Sequence, residues 1–385
     1  MSIFDKVVDR RNTGSTKWEK YRDRDIIPMW VADADFVTAP QIIDALQERV
    51  AHGIFGYTPQ PMESVQEAIC YHLETRHGWS LEKSWIVPLP SLISGLYLSC
   101  LLLESEKDEI LVPGTVYPPF HSVPGHAGRR MLKVPMRLDT GNGRERWVLD
   151  ADELEASITE NTRLLLFCNP HNPGGTVYSR SELEQLGEIC RRHDLLVCSD
   201  EIHCDLVLEE GLQHIPFATL GGDAAARSIT LMAASKTYNI AGLGFGFAIV
   251  PDSALRKRYA TLVGQRMPEV NVLAQTATRA AFLHGEPWRR EQIEYLRGNR
   301  DYLYREISAI QGMKMYLPEA TYLAWIDVSG LGLKDPQDFF EQAGVGIAAG
   351  EYYGDERFIR LNFACPRSLL EEAVKRIRQA VARIP

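Results

Sequence analysis

Short apolar runs and amphipathic stretches take turns along the first two-thirds of this chain. Trp85 to Leu89, Glu109 to Val112, Met131 to Val134, Arg163 to Cys168, Leu195 to Ser199, Ile229 to Ala234 and Phe245 to Val250 are rich in Val, Ile and Leu. Each is too short for a stable helix and reads as a buried strand. The stretches between them carry helix signals. From Pro40, the residues Ile42, Ile43, Leu46 and Val50 fall on one face, and Gly53 stands beyond the end. Met62 to Arg76 is a second helix closed by His77-Gly78, with HGIFGYTPQP as the loop between the two. Pro90-Ser91 opens a helix over SLISGLYLSCLLL. Asp150 with Glu153, and Ser179 with Glu182, have capping-box spacing. The second of those helices ends in Arg191, Arg192 and His193, cations suited to a helix C-terminus.

Strands alternating with helices to about residue 255 predict an α/β fold, a mostly parallel sheet between helices. Beyond that point the pattern turns helical, over Asp252 to Met267, Val272 to His284 and Pro287 to Ile310. Short strands follow at Tyr322 to Val328, Val345 to Ala348 and Phe358 to Asn362, with a closing helix from Pro366. This part reads as a smaller α+β domain. The expected division is an N-terminal segment, 1–45, packing with the small domain, a large domain, 46–255, and a C-terminal small domain, 256–385.

Composition narrows the class of partner. The chain has 385 residues, 45% hydrophobic and 24% charged, enough for a large core. A net charge of −9 without a block of like charge argues against nucleic acid or an anionic membrane as main partner. The start, MSIFDKVVDRR, lacks the pattern of a signal peptide, and the apolar run near Leu96 to Leu103 is too short to span a bilayer. Seven cysteines without a CxxC pair read as buried thiols of a reducing compartment, so a cytoplasmic protein without a metal site is expected.

Three chemical groups stand at strand ends, where open α/β sheets place ligands. NPHNPGG follows Arg163 to Cys168, Asp200 follows Leu195 to Ser199, and Lys236 follows Ile229 to Ala234. A lysine there can be desolvated enough to form a Schiff base. An aspartate can keep a pyridinium nitrogen protonated, and Asn172 can donate to a phenolate oxygen. Taken singly these are a loop lysine, a helix start and a common Asn-Pro-Gly turn. Taken together, in this order, they meet what pyridoxal 5'-phosphate requires of a protein.

The motifs CNPHNPGG, SDEIHCDL, ASKTYNIAGL and FIRLNFACPR, in order and covering nearly the whole chain, resemble the fold-type I pyridoxal-phosphate enzymes of the aspartate aminotransferase superfamily. MWVADADF, HGIFGYT, VYPPF and the histidine of SDEIHCDL resemble its cystathionine β-lyase (C–S lyase) branch of MalY/PatB type. The resemblance implies that Lys236 carries the cofactor and moves the Cα proton, that Asp200 pairs with the ring nitrogen, and that Asn172, helped by His203, bonds the ring oxygen. It implies that Tyr117 stacks on the ring and that Ser91, Leu92 and Ile93 present backbone N–H groups to the phosphate. Tyr57 would reach the phosphate of a neighbouring subunit, making a homodimer the working unit. Arg360 would hold the substrate carboxylate, with the backbone near Ala32 and the Asn172 amide assisting.

Two departures stand out. Many relatives have a serine three residues before the lysine and an arginine eight after it; here these are Ala233 and Gly244. The phosphate cup then leans on backbone amides, Tyr57 and Ser235. The activity implied is α,β-elimination of L-cystathionine or related cysteine S-conjugates to a thiol, pyruvate and ammonia. The rivals are a class I/II aminotransferase and a regulatory protein using this fold as a binding surface. No second arginine for a dicarboxylate is evident, with Arg11 and Arg22 left open, and the preferred β-substituent is not written in the pattern.

Overall fold

A computed structural model describes residues 2–384 of the chain. Seven strands form its main sheet: β1 (Ile86–Leu89), β2 (Glu109–Pro113), β3 (Arg130–Val134), β4 (Thr162–Cys168), β5 (Leu196–Asp200), β6 (Ser228–Met232) and β7 (Gly246–Ile249). Their order across the sheet is β1-β7-β6-β5-β4-β2-β3. Consecutive Leu164, Leu165 and Leu166 are all buried, as a strand covered on both faces requires. The sheet is mixed. β7 runs antiparallel to both β1 and β6, whereas β3, β2, β4, β5 and β6 are mutually parallel. The link from β6 to β7, residues 233–245, carries Lys236 and holds no α-helix of the kind that carries the chain between parallel neighbours.

A second sheet of four strands holds β8 (Lys314–Tyr316), β9 (Leu323–Asp327), β10 (Ala348–Ala349) and β11 (Phe358–Asn362), in the order β8-β9-β11-β10. The strand expected at Val345 to Ala348 is split. Val345–Gly346 pairs in parallel with Ile27–Pro28, tying the N-terminal segment to this end of the chain, and Ala348–Ala349 pairs with β11. A hairpin of Met136–Asp139 with Arg146–Leu149, and a helix over Pro119–His126, have no counterpart in the sequence reading.

The helix caps hold in part. Ser179 and Glu182 form a reciprocal capping box, but Asp150 only accepts from Asp152 and Glu153, and the Glu153 side chain does not return the bond. The helix Pro40–His52 buries Ile42 and half-buries Ile43 and Leu46, while Val50 is exposed. The end of helix Glu63–His77 is pinned to the loop after β5: Asp205 accepts from His72 Nε2 at 2.8 Å and from His77 Nε2 at 3.2 Å. Burial alone would raise the Asp205 carboxyl, yet the two imidazoles outweigh it and hold it well below the usual carboxylate range.

Leu231 of β6 is fully buried against the small-residue face of Gly95. Leu231→Ala should lower unfolding free energy by about 2–5 kcal/mol, read from urea unfolding, because the packed sheet around it cannot collapse onto the gap.

Candidate active site

The carboxyl ends of four strands of the main sheet converge on one cavity of about 260 Å³. Asp200 is the last residue of β5, Asn172 lies in the turn after β4, Lys236 lies in the loop after β6, and Pro90-Ser91 follow β1. Arg360 arrives from the second sheet, on β11. Every sequence candidate lines this cavity except Tyr57: Ala32, Ser91, Leu92, Ile93, Tyr117, Asn172, Asp200, His203, Ser235, Lys236 and Arg360. A larger depression of about 710 Å³ beside Leu333 and Asp338 gathers no comparable set of groups.

Tyr57 is fully exposed, in a surface stretch with Val50, Ile54 and Phe55 that also leaves apolar area uncovered. Arg11 is exposed and lies over the Trp18 ring, and Arg22 is paired with Glu19. Neither lines the cavity, and among the described residues Arg360 is the arginine that does.

Burial sets the electrostatics. It pushes the Lys236 ammonium down to about 8 against the pull of Asp33, and the Nζ donates to the Ala32 carbonyl at 2.6 Å. It pushes the Asp200 carboxyl up to about 7, the N–H of Ile202 at 3.2 Å opposing it. His203 is driven down to about 3 by burial, with Lys236 and Arg360 adding to the effect, so its ring is neutral. Its Nδ1 is buried without a hydrogen-bond partner. Burial also raises the Tyr117 phenol, with Arg360 opposing.

Arg360 is buried, yet among the described residues no carboxylate pairs with it. Its Nη1 donates to Asn172 Oδ1 at 3.1 Å, its Nη2 donates to the Trp30 carbonyl at 2.9 Å, and its Nε has no partner. The Tyr353 ring lies 4.5 Å from its Cζ, a cation–π contact. A guanidinium without a counter-ion in this setting is suited to an anionic ligand. With its Oδ1 engaged by Arg360, Asn172 has its amide N–H groups left to donate.

Ser91 caps the helix Leu92–Leu101, its Oγ accepting from the Ser94 N–H at 3.2 Å. The N-terminal turn of that helix therefore opens on the cavity, as an anion site does. Gly244, also in the wall, has a φ of 70°, a conformation that an arginine in its place would strain. The resident acceptor for the Lys236 amine, the Ala32 carbonyl, and the Trp30 carbonyl and Tyr353 ring against Arg360 are absent from the sequence reading. They meet the site through side-chain contacts between segments far apart in the chain, for which local sequence carries no signal.

The aminotransferase class I and II family matches residues 24–377, and the chain belongs to it. A cystathionine beta-lyase, PatB, of Bacillus subtilis is 37% identical over 98% of this chain and 100% of its own length. A solved structure of a protein called OvoB is 49% identical and covers 99% of each chain, with a TM-score of 0.95. The PLP-bound C-S lyase of Staphylococcus hominis is 32% identical, covering 99% of this chain and 98% of its own, with a TM-score of 0.91. The fold is thus that of fold-type I aminotransferases, in the α/β class.

Because Asp200 titrates near 7 when folded and at its ordinary 3.8 when unfolded, the protonated carboxyl favours the folded state. That contribution is full below about pH 4 and lost as pH rises through 7. In protein freed of ligand, Asp200→Asn should therefore raise the thermal midpoint at pH 8 and leave it unchanged at pH 4. The gain at pH 8 is on the order of a few kcal/mol.

Proposed function

We propose that this protein is a pyridoxal-phosphate-dependent carbon–sulfur β-lyase, cleaving L-cystathionine or related cysteine S-conjugates to a thiol, pyruvate and ammonia, with one water consumed. The observation that carries the reading is a desolvated amine, a buried carboxyl and a guanidinium lacking a counter-ion around one cavity. The names of the relatives in the family support the lyase chemistry.

The residues present fit the cofactor. Lys236 would hold its aldehyde carbon, Asp200 its ring nitrogen, and Asn172 with His203 its ring oxygen. Tyr117 would cover the ring face, and Ser91, Leu92, Ile93 and Ser235 would surround its phosphate. Asp200 and His203 both suit it: a carboxyl raised to about 7 gains from a cationic nitrogen, and an orphaned imidazole Nδ1 gains from a polar partner. When bound, pyridoxal phosphate supplies an electrophilic carbon for the substrate amine and an electron sink for the pair released at the substrate Cα.

The chain does the rest. Arg360 holds the substrate carboxylate, and the Ala32 N–H can add a donor where its carbonyl cannot. That grip fixes the direction of the Cα–H bond. The Lys236 amine, at about 8, is basic enough to take the Cα proton and is not permanently charged near neutral pH. The departing sulfur leaves as a thiolate and needs little assistance. With Arg360 as the one arginine lining the cavity among the described residues, the site lacks the second guanidinium that would suit the side-chain carboxylate of the dicarboxylic substrates of many transaminases.

The same reading makes the working unit a homodimer. Ile93 at the cavity mouth and Tyr57 with Val50, Ile54 and Phe55 are exposed, and a second copy covering them would bring Tyr57 to its partner's phosphate site. It also takes residues 46–255 as the cofactor-binding domain and 256–385 as the smaller one. No helix among the described residues is long and apolar enough to cross a membrane. The seven cysteines are unpaired, which suits the cytoplasm.

Incubated with cystathionine and no added keto acid, the enzyme should release pyruvate. Accumulation of the pyridoxamine form instead would assign it to transamination. Lys236→Ala should abolish both turnover and visible absorption, and Arg360→Ala should lower kcat/KM roughly 100-fold. Mixing inactive Lys236→Ala with Tyr57→Ala subunits should restore activity above that of either parent, since a hybrid dimer keeps one intact site. A mixture no better than its parents would show that the site is not shared.

A further inference from the structure

Residues 30–36 have no regular secondary structure and pass the cavity at Val31 and Ala32, yet side chains from remote parts of the chain grip their carbonyls one after another. Arg360 Nη2 donates to Trp30 at 2.9 Å, and Lys236 Nζ donates to Ala32 at 2.6 Å. Asn362 Nδ2 straddles Ala32, donating to Val31 at 2.7 Å and Asp33 at 2.9 Å. Asn239 Nδ2 does the same around Asp35, donating to Ala34 at 3.0 Å and Phe36 at 2.7 Å. The N-terminal segment adds Lys17, whose Nζ reaches the Asp33 carbonyl at 2.8 Å and the buried Asp35 carboxylate at 2.6 Å.

These grips are of two kinds. Lys236 and Arg360 must let go of the Ala32 and Trp30 carbonyls to reach a cofactor and a substrate. Asn239 and Asn362 have no such errand. Each stands two or three residues beyond one of the reacting side chains, so each straddling amide sits beside the residue that lets go. Asn239 has a φ of 54°, in the left-handed region where asparagine is among the few tolerated side chains, so backbone and amide together favour it there.

Resting on the roles given above to Lys236 and Arg360, we infer that Asn239 and Asn362 are positioning residues of the reaction. They hold residues 30–36 as a fixed strap, so that the lysine and the arginine can exchange a carbonyl for a ligand without the strap following them. The Ala32 carbonyl is then still in place to receive the Lys236 ammonium once that amine has taken a proton.

The test has one arm without cofactor and one with it. In the cofactor-free protein, hydrogen exchange of a peptide spanning residues 27–39 should speed up about tenfold in Asn239→Asp, Asn239→Gly and Asn362→Ala, with the main sheet unchanged. In the holoenzyme the same variants should lose about 10- to 100-fold in pyruvate release, carried by kcat rather than KM. Asn239→Gly keeps the backbone conformation accessible and lacks only the amide. If it behaves as wild type while Asn239→Asp fails, introduced charge is responsible and the assignment falls. Unchanged exchange in the strap, faster exchange throughout the chain, activity within about twofold of wild type, or a loss confined to KM would each overturn it. A wild-type enzyme that releases no pyruvate would sink the lyase reading, and the exchange arm would still judge the strap.

Discussion

The Lys236 amine, held 2.6 Å from a backbone carbonyl in the cavity wall, is the interaction on which the remaining arrangement depends. Desolvation works on two groups of opposite type. It lowers the lysine to about 8 and raises Asp200 to about 7, bringing an amine and a carboxyl within reach of each other on the proton scale. In water they would be separated by more than six pH units. A group whose affinity for a proton lies near the working pH can both take and return it, which is the condition for general acid–base chemistry.

That compression rests on placement. Asp200 ends a central parallel strand and Asn172 and Lys236 each follow one, so their backbones are fixed by the most buried part of the sheet. Arg360 belongs to the other sheet and reaches over from β11, whose register against β9 sets Arg360 opposite Trp325. The segment between Trp30 and Phe36 belongs to neither sheet and is held by side chains from both ends of the chain. The site is therefore long-range in construction even though each motif is short in sequence.

The split explains what could be read beforehand. Strand ends followed by Asn172, Asp200 and Lys236 were legible, because buried parallel strands declare themselves as continuous apolar runs and the residues after them project into a crevice. The antiparallel direction of β7 was not, since an apolar run carries no sign of its direction. Its reversal goes with the lack of a crossover helix in the link around Lys236 rather than with any residue in β7. Val50 satisfied the helical period and still came out exposed, because periodicity identifies an apolar face but not what covers it. Asp150 has the spacing of a box, but the Glu153 carboxylate does not return a bond, a rotamer choice invisible to spacing. The carbonyls of Trp30 and Ala32 could not be read at all, since every residue has one.

Cys168 closes β4 and forms part of the cavity wall, its Sγ directed at the Pro170 carbonyl at 3.4 Å. Burial, reinforced by neighbouring Asp200, drives this thiol far up from its ordinary range. Disulfide exchange and alkylation proceed through the ionised sulfur, which is thereby denied to this residue. A thiolate at that place would compete with the Lys236 amine for any electrophilic carbon brought into the cavity, and the protonated sulfur does not.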